Sequence, residues 1–402
     1  MSLQLRSTVK KGIGADGTVE LSLASMPIKE PEPNEVVVRI EAAPINPSDM
    51  ELLLGPADLN TLQKSGTAAG PVLSAAIPAA EMSSLGGRLG KSLSAGNEGA
   101  GVVVRAGKSE RAQALLGKVV GVFTATSGEM YAEYRTLRTG LCQAFPEGVT
   151  PSQAATWYIN PMAALGMVET MRREGHKGLV LTAAASNLGQ MLCRLCIKDG
   201  IPLVSIVSEQ QMVDVLKAIG APHIVNSSSS SFMEDLTDAL VATGATLAFD
   251  AIGGGQLAGQ ILTCMGMASD RVTQAPFSIY GNPSPKQVYV YGGLDSGPIV
   301  IKRSPPLNMH WNIGGWLLAT FMGKIGAADA RRLRERVAAE ILTTFASSHS
   351  KEISLTEILD VDVVQSFMRR VTGGKYLLCP HKGKPPALTA SSASSSQVKS
   401  KL

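Results

Sequence analysis

From about residue 160 onward, short apolar runs alternate with segments of helical period, and this alternation constrains the fold more than any other feature of the chain. Strands are expected at 178–184, 203–207, 223–226, 246–251 and 287–292, with helices at 162–173, 188–198, 210–219, 232–242 and 256–265. The strand segments are continuously apolar, the pattern of a parallel sheet covered on both faces. Alternating strands and helices of this kind build a doubly wound α/β domain. Its opening helix is expected to start at Asn160-Pro161, with Asn160 as N-cap and Pro161 at the first helical position.

The first half has a different rhythm. Runs such as EVVVRIEAAPI, GAGVVVRAG and KVVGVFT are β-type and separated by Gly and Pro, which suggests a twisted, barrel-like β domain. The N-terminus carries targeting-like basic residues (Arg6, Lys10, Lys11), but a strand is already expected at 17–23, which leaves little room for a cleaved presequence. The stretch 55–96 is polar and rich in Ala, Ser and Gly, and reads as a long functional loop with one or two short helices. After residue 335 a strand-helix-strand pattern is expected to return to the first domain. A chain of 402 residues exceeds one hydrophobic core. The expected division is therefore 1–159 with 335–382, then 160–334, then a disordered tail 383–402.

A net charge of +4, with Lys382, Lys384, Lys399 and Lys401 contributing near the C-terminus, implies no nucleic-acid surface. Five scattered cysteines suit a reducing compartment rather than a disulfide framework, and Cys193-x-x-Cys196 lies in an apolar helical run expected to be packed. No run of 18 uncharged apolar residues exists, so no membrane helix is expected. The chain ends Ser400-Lys401-Leu402, the address read by the peroxisomal import receptor. A peroxisomal location is expected, with the cytoplasm as the alternative.

A dinucleotide site needs a tight turn of small residues that opens a helix toward a pyrophosphate. Here that turn is Ala183-Ala184-Ala185-Ser186-Asn187-Leu188-Gly189, in which Gly189 alone remains of three usual glycines and Ser186 offers a hydroxyl. The second strand ends at Ser208-Glu209, where an acidic residue would accept ribose hydroxyls and favour NAD(H). Glu209 is equally readable as the acidic first turn of the next helix. Ile252 and Gly253, with Gly293 and Leu294 at the following sheet end, fall where a nicotinamide ribose would lie, although Gly254 and Gly255 are also plausible turn residues.

Together these motifs resemble the medium-chain dehydrogenase/reductase superfamily, in its zinc-free quinone oxidoreductase and 2-enoyl-thioester reductase branch. The likeness rests on APINPSD (43–49), GNEGAG (96–101), MYAEY (130–134), NPMAAL (160–165), the 183–189 turn and GKYLL (374–378), and spans roughly residues 15–380. It implies a GroES-like β-rich catalytic domain beside a Rossmann domain. It also implies NADP(H) as coenzyme, and a homodimer formed through the Rossmann sheet edge near 287–291. Asn46 matches a position beside the nicotinamide, and Met162 and Lys375 match positions against the coenzyme. The places of the zinc ligands in zinc-dependent members correspond to Asn46, Asn97 and approximately Tyr158, which cannot form a tetrahedral zinc site. The enoyl reductases carry a catalytic tyrosine that residues 47–96 lack, which leaves Tyr158 as the candidate replacement donor, with a packed or coenzyme-wall tyrosine as the alternative, and Asp49 as a second candidate if burial raises its pKa, otherwise a cap of the following turn. The implied activity is hydride transfer to an activated C=C of an enone or 2-enoyl thioester. Quinone reduction is one alternative, and a catalytically retired nucleotide-binding or interaction protein is another.

Overall fold

The computed structural model describes residues 1–12, 16–67, 70–124, 128–273, 283–302, 307, 310–368 and 375–385. The Ser-Lys-Leu ending, all of the tail beyond 385 and Gly374 lie outside the described residues. The chain divides into two compact units, Met1–Tyr158 with Ala338–Leu342 and Ser347–Leu402, and Ile159–Val337 with Thr343–Ala346.

In the second unit six parallel strands lie in the order His223–Asn226, Leu203–Val207, Leu179–Leu181, Leu247–Asp250, Gln287–Val290, Asn312–Gly315. Two halves wind outward from Leu179–Leu181, the first of these strands in the chain, which is the arrangement of a dinucleotide-binding sheet. Val180, Val204, Ile206, Ala248 and Val288 pack against Phe232, Leu236, Leu240, Ile261 and Leu262. Leu179, Leu181, Leu203 and Val207 are buried as well. Burial on both faces is why these strands read as unbroken apolar runs. Cys193 and Cys196 are free thiols buried on the helix Asn187–Asp199.

Two expectations are corrected here. Asn160 is not a helix cap, because the helix spans Ile159–Arg173 and already includes it. Pro161 still falls in the first turn, where the missing N–H costs nothing. Nor is 287–291 the sheet edge, since Asn312–Gly315 pairs outside it. That four-residue strand, NIGG, is too short and glycine-rich to stand out in the sequence.

The first unit holds two sheets among its described residues. One runs Gln63–Thr67, Gly70–Ile77, Gly17–Met26, Ser2–Lys11, Ser92–Ser94. The other runs Cys142–Ala144, Val119–Phe123, Glu98–Ala106, Glu35–Pro44, Tyr376–Leu378, Lys351–Ile353, with Tyr134–Arg138 also pairing to Glu35–Pro44. The basic N-terminal segment is itself a strand, paired along its whole length with Gly17–Met26. The stretch 55–96 is not one long loop but a hairpin, two 3-10 turns (Leu59–Thr61, Ala79–Arg88) and a short strand. The strand Gln63–Thr67 is exposed along its length, so it carries no apolar alternation to betray it.

After Lys351–Ile353 and the helix Val361–Met368, the strand Tyr376–Leu378 aligns Leu377 with Pro44 and Leu378 with Ala43. The Ile45 N–H donates to the Tyr376 carbonyl at 3.0 Å. This pairing brings Lys375 beside Asn46. Residues 383–385, expected in the tail, are tied to this unit: Arg39 Nη2 donates to the Pro385 carbonyl (2.7 Å) and Lys384 pairs with Glu133 (2.8 Å).

Candidate functional site

In the first unit the strand Glu35–Pro44 runs out at Ile45 and Asn46, and the helix Pro47–Leu53 follows at once. Asp49 holds this corner together. Its Oδ2 accepts the Asn46 N–H and its Oδ1 accepts the Asn97 N–H, both at 2.9 Å. Asp49 is fully buried, and burial raises its pKa to about 6 despite the two backbone donors; the nearby Glu98 pushes the same way. Glu98, also fully buried, accepts from Asn46 Nδ2 (3.0 Å) and from the Tyr158 N–H (2.9 Å). Lys375 Nζ donates to Asn46 Oδ1 at 3.0 Å. Burial lowers the Lys375 pKa to about 8, against the pull of Glu98 and Asp49.

The structure thus brings Asn46, Asp49 and Lys375 into one buried polar cluster. Three members carried no site role in the sequence reading. Besides Glu98 there is Tyr131, whose hydroxyl donates to the Pro44 carbonyl (3.1 Å) and whose ionisation is suppressed by burial and then by Asp49. The third is His349, whose Nε2 meets Thr156 Oγ1 at 3.1 Å. Burial, then Lys375, lowers its pKa to about 4 and keeps it neutral. Tyr158 joins through its backbone, while its ring stacks on Phe123 (centroids 3.7 Å apart, planes at 12°).

Asp49 gives the stability a sign that can be checked. A carboxyl raised from 3.8 to about 6 favours the folded state fully below pH 4, and that contribution is lost as pH rises through about 6. The loss is about 3 kcal/mol at 1.36 kcal/mol per pKa unit. His349 works in the opposite direction, adding a penalty as pH falls from 6.5 toward 4. Asp49→Asn removes the first effect and leaves the second. The variant lacks one acceptor and is less stable throughout, but its deficit in urea midpoint is expected to narrow between pH 4 and pH 7.

In the second unit, Ser186 Oγ accepts the Gly189 N–H at 3.2 Å and caps the helix Asn187–Asp199. A Cβ on Gly189 would collide with the Ala184 carbonyl, so the helix rests directly on the turn. This close approach is what the surviving glycine is for. Ala183 sits at φ 48°, a left-handed conformation that costs an L-residue about 1 kcal/mol. Ala183→Gly is expected to recover about that amount in denaturant unfolding; an unchanged midpoint would mean the strain is absent.

Thr182 and Asp250, which the sequence reading did not single out, lock the first and fourth strand ends. Thr182 Oγ1 donates to Asp250 Oδ1 (2.7 Å) and accepts from the Ala251 N–H (2.8 Å). The buried Asp250 also accepts the Ile252 and Gly253 N–H groups (3.0 and 3.2 Å). Gly253, at φ 83°, lies against the Gly292 carbonyl, and the Leu294 N–H donates to the Ala251 carbonyl (3.1 Å). Ile252, Gly253, Gly293 and Leu294 therefore share one pair of linked loops at the carboxyl end of the sheet. Glu209 is the exposed first residue before the helix Gln210–Ala218, its Oε2 held by Gln211 Nε2. Ser208 is exposed beside it, its carbonyl accepting from Ser228 Oγ (2.7 Å), and Met162 is fully buried in the helix Ile159–Arg173. Among the described residues no cluster of three or more His, Cys, Asp or Glu is arranged to hold a metal ion, and no helix is long and apolar enough to cross a membrane.

No family model matches the chain. Over 216 residues it is 26% identical to the mitochondrial enoyl-[acyl-carrier-protein] reductase of Xenopus tropicalis, covering 51% of each chain. Over 232 residues it is 24% identical to the chloroplastic quinone-oxidoreductase homolog of Spinacia oleracea, covering 56% of this chain and 62% of that one. The chain thus spans about half to three-fifths of the length of these curated relatives. Among solved structures, a Mesorhizobium loti protein assigned as an NADPH:quinone reductase superposes with a TM-score of 0.67 at 22% identity, covering 94% of this chain and 98% of that one. The CurK enoyl reductase gives 0.65 at 17% identity, covering 94% and 99%. A mycobacterial protein solved with NADPH gives 0.60 at 17%, covering 94% and 100%. The fold is that of the medium-chain reductases, a GroES-like β domain and a Rossmann domain, and the chain is similar in sequence to relatives bearing both the enoyl reductase and the quinone oxidoreductase names.

Proposed function

We propose that the protein is a zinc-independent NAD(P)H-dependent reductase of an activated C=C, in an enone or a 2-enoyl thioester. The observation that carries this reading is the fit of the second unit to a dinucleotide. A capped helix rests through Gly189 on a turn of small residues, and the glycine-bearing loops 252–255 and 292–295 lie at the carboxyl ends of adjoining strands. A bound coenzyme would set its pyrophosphate on the first turn of Asn187–Asp199, held by backbone N–H groups and Ser186, with Ile252, Gly253, Gly293 and Leu294 along the nicotinamide ribose. When bound, it supplies the hydride. The NADPH complex among the structural relatives supports NADP(H). The exposed Glu209 favours NAD(H), because its carboxylate would face a 2′-phosphate.

The spinach relative's name supports quinone as a second acceptor class. Steady-state oxidation of each nucleotide against crotonyl-type thioesters, enones and quinones separates these readings. Turnover of the first two classes is expected, and activity with quinones alone would remove the enoyl assignment. Nucleotide binding with no turnover across the panel would favour the retired protein. A homodimer and peroxisomal import through Ser400-Lys401-Leu402 belong to the same proposal. A fluorescent fusion keeping that C-terminus is expected in peroxisomes, and the same fusion without the three residues in the cytoplasm.

A further inference from the structure

We propose that the second unit carries a binding site for a planar aromatic carboxylate, separate from the dinucleotide turn and independent of the reductase reading. A cavity of about 290 Å³ lies between the helix Ile159–Arg173, the strands Gln287–Val290 and Asn312–Gly315, and the first turns of the helix Leu318–Glu340. Side chains alternate along a strand. Val288 packs against Ile261 and Leu262, so Tyr289 faces the other way, into the cavity. The helix Leu318–Glu340 breaks at Gly326 (φ 78°), and the turn before the break lines the cavity with Phe321, Lys324 and Ile325.

The walls are held open by bonds of their own. Trp316 Nε1 donates to Thr170 Oγ1 (3.1 Å), and that hydroxyl donates to the Gly166 carbonyl (2.7 Å). A Cβ on Gly166 would come to 3.0 Å from the Trp316 ring and 3.2 Å from the Phe321 ring, so the helix lies directly against both. The two ring centroids are 5.9 Å apart, with planes at 32°. Tyr289 Oη donates to Glu174 Oε1 (2.9 Å), and Arg173 is paired with Asp329 (2.6 Å). Each of these polar groups is committed within the protein. Lys324 is the exception: it lines the cavity, is exposed, and has no hydrogen bond or ion pair among the described residues.

A ligand entering here meets the rings of Tyr289, Trp316 and Phe321 and one unpaired cation. Such rings favour a flat aromatic body, packed offset or edge to face. The ammonium favours a single carboxylate, because hydrogen bonds between charged partners are the strong ones. A second anionic group would find the Arg173 guanidinium already taken by Asp329 and would face the Glu174 carboxylate. No residue of 183–189, 252–255 or 292–295 lines the cavity, so a coenzyme and this ligand do not compete for the same atoms.

Calorimetric titration of the full chain with 2-naphthoate tests the site, with 2-naphthamide and octanoate as controls. Saturable uptake of 2-naphthoate is expected, with a Kd on the order of 100 μM, and the same Kd in saturating NADPH. Lys324→Met should weaken 2-naphthoate about tenfold while leaving 2-naphthamide unaffected. Thr320→Trp, which fills the cavity from an exposed position, should abolish the uptake. Octanoate, which offers the charge without the ring, should bind at least about tenfold more weakly. Absence of 2-naphthoate binding up to about 2 mM would overturn the proposal. So would displacement by NADPH, undiminished affinity in Lys324→Met or Thr320→Trp, or equal affinity for octanoate.

Discussion

Replacing Gly189 with alanine is expected to abolish coenzyme binding at concentrations that saturate the wild type, and to destabilise the second unit by about 1–3 kcal/mol. The added methyl has nowhere to go. It would meet the carbonyl, carbon and Cα of Ala184, all backbone, so neither partner can yield by changing rotamer. Relief requires the helix Asn187–Asp199 to lift off the turn. That motion carries away the N–H groups meant for the pyrophosphate and strains the Ser186 cap. Calorimetric titration of the variant with NADPH, alongside its thermal unfolding, separates the two consequences. Binding equal to wild type in a variant of lowered stability would show that the close approach serves packing alone.

The second large effect is expected at Glu98. Glu98→Ala strips the acceptors from the buried Asn46 Nδ2 and the half-buried Tyr158 N–H, and leaves the Lys375 ammonium without one of the two carboxylates that offset its burial. Each stranded donor costs about 1–3 kcal/mol, and an uncompensated buried charge adds to that. The first unit is expected to lose about 3–5 kcal/mol in urea unfolding. The Lys375 amine should then be neutral at a lower pH than in wild type, because Glu98 is one of the two carboxylates that raise its pKa against burial. Glu98→Gln keeps the volume and one acceptor, and should lose roughly half as much stability. Equal stability of Glu98→Ala and wild type would contradict the cluster as drawn.

Much of the second unit was legible because its central strands are buried on both faces, so hydrophobicity alone marked them: 203–207 coincides with the observed, wholly buried Leu203–Val207, and 223–226 with the half-buried edge strand His223–Asn226. Where hydrophobicity was silent, the reading failed. The exposed strand Gln63–Thr67 and the glycine-rich edge Asn312–Gly315 draw their order largely from the strands they pair with, whereas Ser2–Lys11 buries Leu5 and Val9 in the core between polar and basic residues that hide the pattern. The site divides in the same way. The 183–189 turn shows in the sequence because its small residues and its register to a helix are local. Glu98 meets Asn46, Tyr131 meets the Pro44 carbonyl and His349 meets Thr156 only through contacts between segments distant in the chain, which no local pattern reveals. Asp49 was noticed for its titration, and the structure adds that it ties the Asn46 corner to Asn97.

Calorimetric titration of the intact wild-type chain with NADPH and NADH tests the central claim most directly, since the reductase reading requires the 183–189 turn to hold a dinucleotide. Saturable uptake of at least one of them is expected, with a Kd on the order of 1–100 μM. Absence of binding by either nucleotide up to about 1 mM would contradict the account.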